Sequence, residues 1–513
     1  MMRSLSVVLA LALCFTLTGC WEADANEPQD FWELEPETAE TAVERSTKAD
    51  MFTLPYLNSQ TLDPVSCSDG VQQVVGSLLY ESLFTLDEGF EPQPLLCAAY
   101  SFSADGLTCT FTLRDGVTFS DGAALTASDV LTTYRRAQVS ERYAARFANI
   151  ISMRVIRGAL VIALKQADSA LPALLDIPIV KGGTEKDPVP LGTGPYLFLT
   201  DTGGPCLVRN EHWWRGDTAS PERIALAPAK DADTAVYLFS AENAHLLTAD
   251  LLGETPASSL GGVDMTDAPT TTMLFLGFNT KRPSLSDAAF RSALGTAFDR
   301  DAIVTTLLAG HADAAQFPIS PASPLYPAAL ETAYTLGAYA EALSPPAADA
   351  AEPVEHAPVE LTLLVNAESS FKVAIAEYLA RQFSEAYVTV DPIVLPWADY
   401  LMALENGNFD LWLGEVRLTA NWDITSLVSA GGALNYGGYA DAVTDAALQS
   451  FLAGKSEATA AALCDRLAVE APILPLVFKT VTVLTPEGLI DGVSPTMAQP
   501  LRDLAHWIIR LPK

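Results

Sequence analysis

Between residues 360 and 413 the hydrophobic pattern alternates between a period of two and a period near 3.6. Few architectures satisfy that alternation except strands laid side by side with helices packed across them. The pattern predicts strands over 360–365, 389–395 and 409–413, with helices over 371–386 and 397–406. Phe371, Ile375, Leu379 and Phe383 fall on one face of the first helix, and Gly407 is available to end the second. A series of this kind implies a mixed or parallel sheet with covered faces, and so an α/β fold.

The rest of the body repeats the theme with shorter elements. Asp-Gly pairs at 105–106, 115–116 and 121–122 punctuate short strands, among them Thr108–Leu113, whose alternation is nearly period two. Thr126 followed by Asp129 reads as a capping box for a helix through Ala137. Gly/Pro-rich turns separate further strands at 196–199 and 206–209. Apolar residues at 290, 293, 294, 297 and 298 form a helical stripe, and Gly310 stops the helix after it. Residues 344–358 read as a Pro/Ala/Glu surface loop. From residue 51 onward the chain is too long for one simple domain and implies two or three.

The first 50 residues are different material. Arg3 precedes an apolar run over 5–17 that suits a signal-peptide core and is too short to span a bilayer. The run ends in Leu-Thr-Gly-Cys at 17–20, the pattern of a bacterial lipoprotein processing site. Residues 1–19 are therefore expected to be removed as a signal peptide, and Cys20 to carry the lipid that anchors the chain outside the cytoplasmic membrane. Residues 20–50 hold ten acidic residues and no hydrophobic period, which predicts a solvated tether.

Charge and motif content narrow the function classes. The net charge is −33, so no basic surface exists to neutralise phosphates, and nucleic acid is excluded as a partner. Beyond Cys14 and Cys20 five cysteines remain: Cys67, Cys97, Cys109, Cys206 and Cys464. An odd count cannot pair fully, and a body this large needs no disulfides, so buried free thiols are expected; Cys97 and Cys109 are the only pair that invites suspicion. No phosphate-binding, metal-ligand or nucleophile motif is present, and the five histidines are scattered. Leu-Gly-Thr-Gly-Pro-Tyr at 191–196 leads into a strand rather than a helix N-terminus, so it reads as structural. No enzyme chemistry and no cofactor are implied.

Several blocks together resemble one family. Residues 78–130 are similar to the signature of the family 5 extracellular solute-binding proteins, the oligopeptide-, dipeptide- and nickel-binding group of ABC importers. LGTGPYLF (191–198), VRNEHWWRG (208–216), the stretch 275–310, GNFDLWLGE (407–415) and LNYGGY (434–439) resemble its later blocks, in family order. The resemblance implies a class II periplasmic-binding-protein-like fold with two lobes and an extra domain. Domain I would comprise 51–80, 190–272 and 480–513, domain II 81–189, and domain III 273–479. Two crossover segments, near 272–275 and 476–480, would form the hinge. It further implies a monomeric lipoprotein that captures a peptide-like or other small polar solute and delivers it to permease subunits. A sensor or chaperone of the same fold and a cell-surface hydrolase using two carboxylates are the alternative readings.

Peptide-binding members hold the ligand's ammonium group with an Asp in a Trp-x-x-Asp pattern after the GxFDL strand. In this chain Glu415 occupies the Trp position and Leu418 the Asp position, beside Arg417. The acidic anchor is lost in that register, and a guanidinium suited to a carboxylate or phosphate has arrived. By position in the family plan, Tyr56, Asn58, Asn279, Trp422 and Tyr436 are the other candidates for ligand contact, alongside Glu415 and Arg417.

Overall fold

The computed structural model describes residues 52–216, 219–253, 260–343 and 358–511. The expected signal peptide, Cys20 and the acidic tether lie outside them, as does nearly all of the 344–358 loop.

The predicted alternation folds as read. Strands Val359–Asn366 and Val388–Leu395 pair in parallel, with helix Ser370–Phe383 between them, and Val359–Asn366 also pairs in parallel with Leu411–Arg417 after helix Trp397–Glu405. Side chains of a strand alternate between faces, and here both faces are covered. Leu361, Leu363 and Val365 enter one hydrophobic cluster with Ile375, Leu379 and Phe383, while Leu364 enters a second with Tyr400 and Trp412. This sheet has seven strands, continuing through Val263–Phe278 to Ile473–Pro486.

Among the described residues two four-stranded sheets and two two-stranded ones complete the body. One four-stranded sheet runs Thr53–Leu57, Arg223–Ala229, Gly204–Arg209, Tyr196–Asp201, with its first pair parallel. The other is antiparallel, in the order Cys97–Phe102, Thr108–Leu113, Ala159–Leu164, Ile150–Ile156. The helix Ala127–Ala137 begins at the predicted Thr126–Asp129 capping box. Gly106 and Gly116 adopt φ of +70° and +79°, the left-handed conformation such turns require.

Strands Val263–Phe278 and Ile473–Pro486 are unusually long, and they pair antiparallel along most of their lengths. Their register breaks between Pro269 and Met273, opposite Thr480 and Phe478. On one side of the break the short strand Leu247–Ala249 joins them; on the other, Leu411–Arg417 does.

One sequence expectation needs correction. The stripe at 290–298 does pack into the core, but its α-helix covers only Ala288–Leu294. Gly295 caps that helix, Asp299 caps a new turn, and a π-helical turn at Ile303–Leu307 precedes Gly310. Hydrophobic spacing persists through the break because both turns face the same core. The expectation of free thiols holds, Cys97 and Cys109 included, because register puts Cys109 opposite Phe102, five residues along from Cys97, beyond disulfide reach. All five cysteines of the body are buried free thiols.

The family blocks converge on one buried carboxylate. Glu81 from the first block accepts from the Thr193 hydroxyl at 2.9 Å and from the Trp213 and Trp214 indoles at 3.2 and 2.8 Å. Burial pushes its pKa up, and these three donors only partly oppose that. The Gly-Thr-Gly loop is structural as expected: a Cβ at Gly192 would lie 2.1 Å from the Leu79 carbonyl oxygen.

Candidate functional site

The site begins at the end of strand Leu411–Arg417. Glu415 and Arg417 are two residues apart, so they emerge on the same side of the strand, while Arg417 pairs with Thr272 at the register break of its neighbour. Two cavities meet there, sharing Thr272 and Arg417 in their walls.

The first cavity, of about 300 Å³, is walled by the helix Gly70–Leu79, the segment around Arg142–Arg146, and the break in the two long strands. Its charged lining is Arg142, Arg146, Arg417 and Lys479 against Asp176 and Asp250. That is a cationic surplus inside a chain of net charge −33. Arg146 pairs with Asp176, and Lys479 with Asp250. The guanidinium groups of Arg142 and Arg146 also lie over the Tyr143 ring, 5.0 and 5.1 Å from its centroid.

The second cavity, of about 670 Å³, is lined largely by aromatic and aliphatic groups. Trp412 stands edge-on to Phe275 at 4.9 Å and to Tyr436 at 5.4 Å, and Trp397 stacks on Tyr400 at 5.6 Å. Its charged residues are Glu368, Lys372, Glu415 and Arg417.

Every carboxylate in both linings is engaged. Glu415 receives Lys372 at 3.1 Å and Lys479 at 3.3 Å. Burial alone would raise its pKa, but the two ammonium groups outweigh burial and hold the carboxyl below its ordinary range. Glu368 accepts from the Trp397 amide at 2.8 Å and from Asn366 at 3.3 Å. On the cationic side Arg142 meets only neutral acceptors, the Cys67 carbonyl at 2.9 Å and Gln73 at 2.8 Å. Arg417 has no side-chain hydrogen bond or ion pair among the described residues. Desolvation by the surrounding walls lowers its pKa, and the like charges of Arg146 and Arg142 lower it further. The guanidinium is solvent-accessible and at the same time enclosed by protein, as a group lining a cavity must be.

The structure thus brings together three of the sequence candidates: Glu415, Arg417 and Tyr436. The others line neither cavity. Tyr56 is buried in the core against Phe198 at 5.5 Å, and Asn58, just past that strand, is an exposed residue of the following turn. Asn279 is buried and donates to the carbonyls of Gly407 and Phe409 at 3.2 and 2.9 Å, which fixes the turn before the Leu411 strand. Trp422 is buried between Phe90 and Phe478, with edge-on contacts at 5.3 and 6.0 Å. Position along the strand order was their only warrant, and packing claimed the side chains.

Sequence reasoning missed Arg142, Arg146, Lys372, Lys479 and Trp412. Lys479 carried a signal: a lone lysine inside the apolar run 473–484 is a buried cation in need of partners. Arg142 and Arg146 carried none, since their segment reads as an ordinary polar connection.

The family model for bacterial extracellular solute-binding proteins, family 5 (its middle region), matches residues 91–436. The chain belongs to this family. The glutathione-binding protein GsiB of Salmonella typhi is 28% identical over 285 residues, 52% of this chain and 55% of that protein. GsiB of Escherichia coli K12 is 28% identical over 280 residues. The chain spans about half the length of the curated relatives it matches. Among solved structures, the nickel ABC transporter protein of Bacillus halodurans superposes with a TM-score of 0.70 at 20% identity, covering 87% of this chain and 97% of that one. The unliganded open form of the murein tripeptide-binding protein MppA gives 0.69 at 19% identity, covering 89% and 97%. The fold of this family 5 chain is accordingly the two-lobed one of the periplasmic binding proteins. No helix among the described residues is long and apolar enough to cross a membrane.

Proposed function

We propose that this chain is the solute-binding component of an ABC importer, which captures a small anionic or peptide-like solute at Arg417 and delivers it to permease subunits. The observation that carries the reading is the unpaired Arg417 guanidinium at the junction of two cavities whose carboxylates are all engaged. A guanidinium in that position is a ready fork for a carboxylate. Family membership and relatives named as binding proteins support capture over catalysis.

Domain I (51–80, 190–272, 480–513), domain II (81–189) and domain III (273–479) would move about the two long strands. The register break at 269–273 opposite 478–480 supports a hinge there, since an interrupted ladder bends more readily than a continuous one. Solute touching both lobes would favour the closed state, because only differential affinity shifts such an equilibrium. Native mass spectrometry of protein purified without denaturation identifies the captured solute. Returned to stripped protein, that solute should raise the thermal midpoint progressively and lower the radius of gyration in small-angle scattering. Tight binding with unchanged dimensions would refute the hinge.

The lipid anchor belongs to the same proposal. Cys20→Ala should abolish acyl labelling and shift the chain from the detergent phase to the aqueous phase. Unchanged labelling in that variant would sink the lipoprotein assignment.

A further inference from the structure

We infer that the captured solute is an amphipathic carboxylic acid, with its carboxylate at Arg417 and Arg142, a bulky apolar group in the aromatic cavity, and no requirement for a free amine. The inference rests on the solute-capture reading and narrows its ligand class.

Charge accounting excludes an ammonium anchor first. Asp176, Asp250, Glu368 and Glu415 are the only carboxylates in either lining among the described residues, and each already meets a cation or two donors. An incoming ammonium would have to displace one of them. Arg142 and Arg417, in contrast, are solvent-accessible and make no ion pair among the described residues, with Asp176 near Arg417 but bonded to Arg146. A carboxylate between them supplies a countercharge.

The second cavity specifies the rest of the molecule. Its polar groups are largely consumed internally: the Tyr400 hydroxyl donates to the Leu413 carbonyl at 2.9 Å, and Glu415 is held by two lysines. What faces the space is ring and aliphatic surface from Trp397, Leu401, Trp412, Leu434 and Tyr436, a lining that selects apolar groups. The buried Asn366 Oδ1 has no partner, and as a neutral acceptor it suits an amide N–H. Because Arg417 and Thr272 belong to both cavities, one small molecule can reach both environments at once.

Calorimetry on the full chain, stripped of bound solute, tests this with N-acetylated Gly-Gly, Gly-Leu and Gly-Phe, their C-terminal amides, and the free-amine peptides. The acids should bind at least about thirtyfold more tightly than the amides. Gly-Phe acid should exceed Gly-Gly acid by about ten- to a hundredfold. Acetylation should cost less than about threefold. Leu434→Lys should flatten the preference for the apolar group while keeping the gap between acid and amide, and Trp397→Ala, on the exposed rim, should weaken the same preference without burying a charge. Equal binding of acids and amides, a flat apolar series, or a strict need for the free amine would each overturn the inference. Failure of the whole panel, with some other solute found by native mass spectrometry, would overturn the ligand class and leave solute capture intact. Failure of the panel with no captured solute would remove the capture reading as well.

Discussion

Arg417→Ala should lower affinity for the solute identified by native mass spectrometry by about thirty- to several-thousand-fold, as read by calorimetry on stripped protein. The range follows if closure around the solute buries its charge pair with Arg417, since removing one partner of a buried pair costs about 2–5 kcal/mol, much of it from stranding the other charge. A contact at an exposed rim would cost under about 1 kcal/mol and would fade with salt. Arg417 has no internal partner to lose, so the variant should fold normally, and the deficit should lie in binding alone. Arg417→Lys should also weaken binding, since an ammonium cannot supply two parallel donors to a carboxylate. Affinity within threefold of wild type in the alanine variant would show that Arg417 is not the anchor.

Glu81→Ala should have the opposite profile, a large loss of stability from a residue outside both cavities at the Arg417 junction. It strands the Thr193 hydroxyl and the Trp213 and Trp214 indole N–H groups. Buried donors left unsatisfied cost about 1–3 kcal/mol each, so roughly 3 kcal/mol or more should be lost in denaturant unfolding. Glu81→Gln should cost less, because one amide oxygen can still serve the donors on one side. Titration adds a signature. Burial raises the carboxyl's folded pKa above its ordinary value of 4.5, so the folded state holds the proton more tightly than the unfolded chain. The contribution of Glu81 is therefore fully present below 4.5 and declines as pH rises through the raised value. That slope should be missing from the glutamine variant. An alanine variant as stable as wild type would mean that the three donors find other partners.

Much of the architecture was legible in sequence, for local reasons. The Thr126–Asp129 capping box and the strand Thr108–Leu113 need only their own residues to be recognised, and the structure reproduces both. The 360–413 alternation fixes a doubly covered sheet because period two and period 3.6 expose different faces to the same core. The stripe at 290–298 marks the limit of such reading: periodicity identified its core-facing side chains but could not register the break at Gly295.

For the site, sequence determined less. The strand ending in Glu415-Val416-Arg417 and the lack of an acid at Leu418 were readable along the chain, and so was the arrival of a guanidinium. Whether that guanidinium was paired was not readable. Its neighbours Arg142 and Arg146 come from a segment hundreds of residues away along the chain and Lys479 from a third segment, and only tertiary packing brings them to one cavity. Tyr56, Asn279 and Trp422 illustrate the converse, because a residue near a predicted cleft can turn inward once the core has room for its ring or amide. Sequence by itself determined the α/β class and the residue at the end of the key strand, since both depend on short-range spacing. Tertiary structure alone decided which charges cancel and which remain, because Coulomb interactions and desolvation depend on distance through space, and no spacing along the chain encodes it.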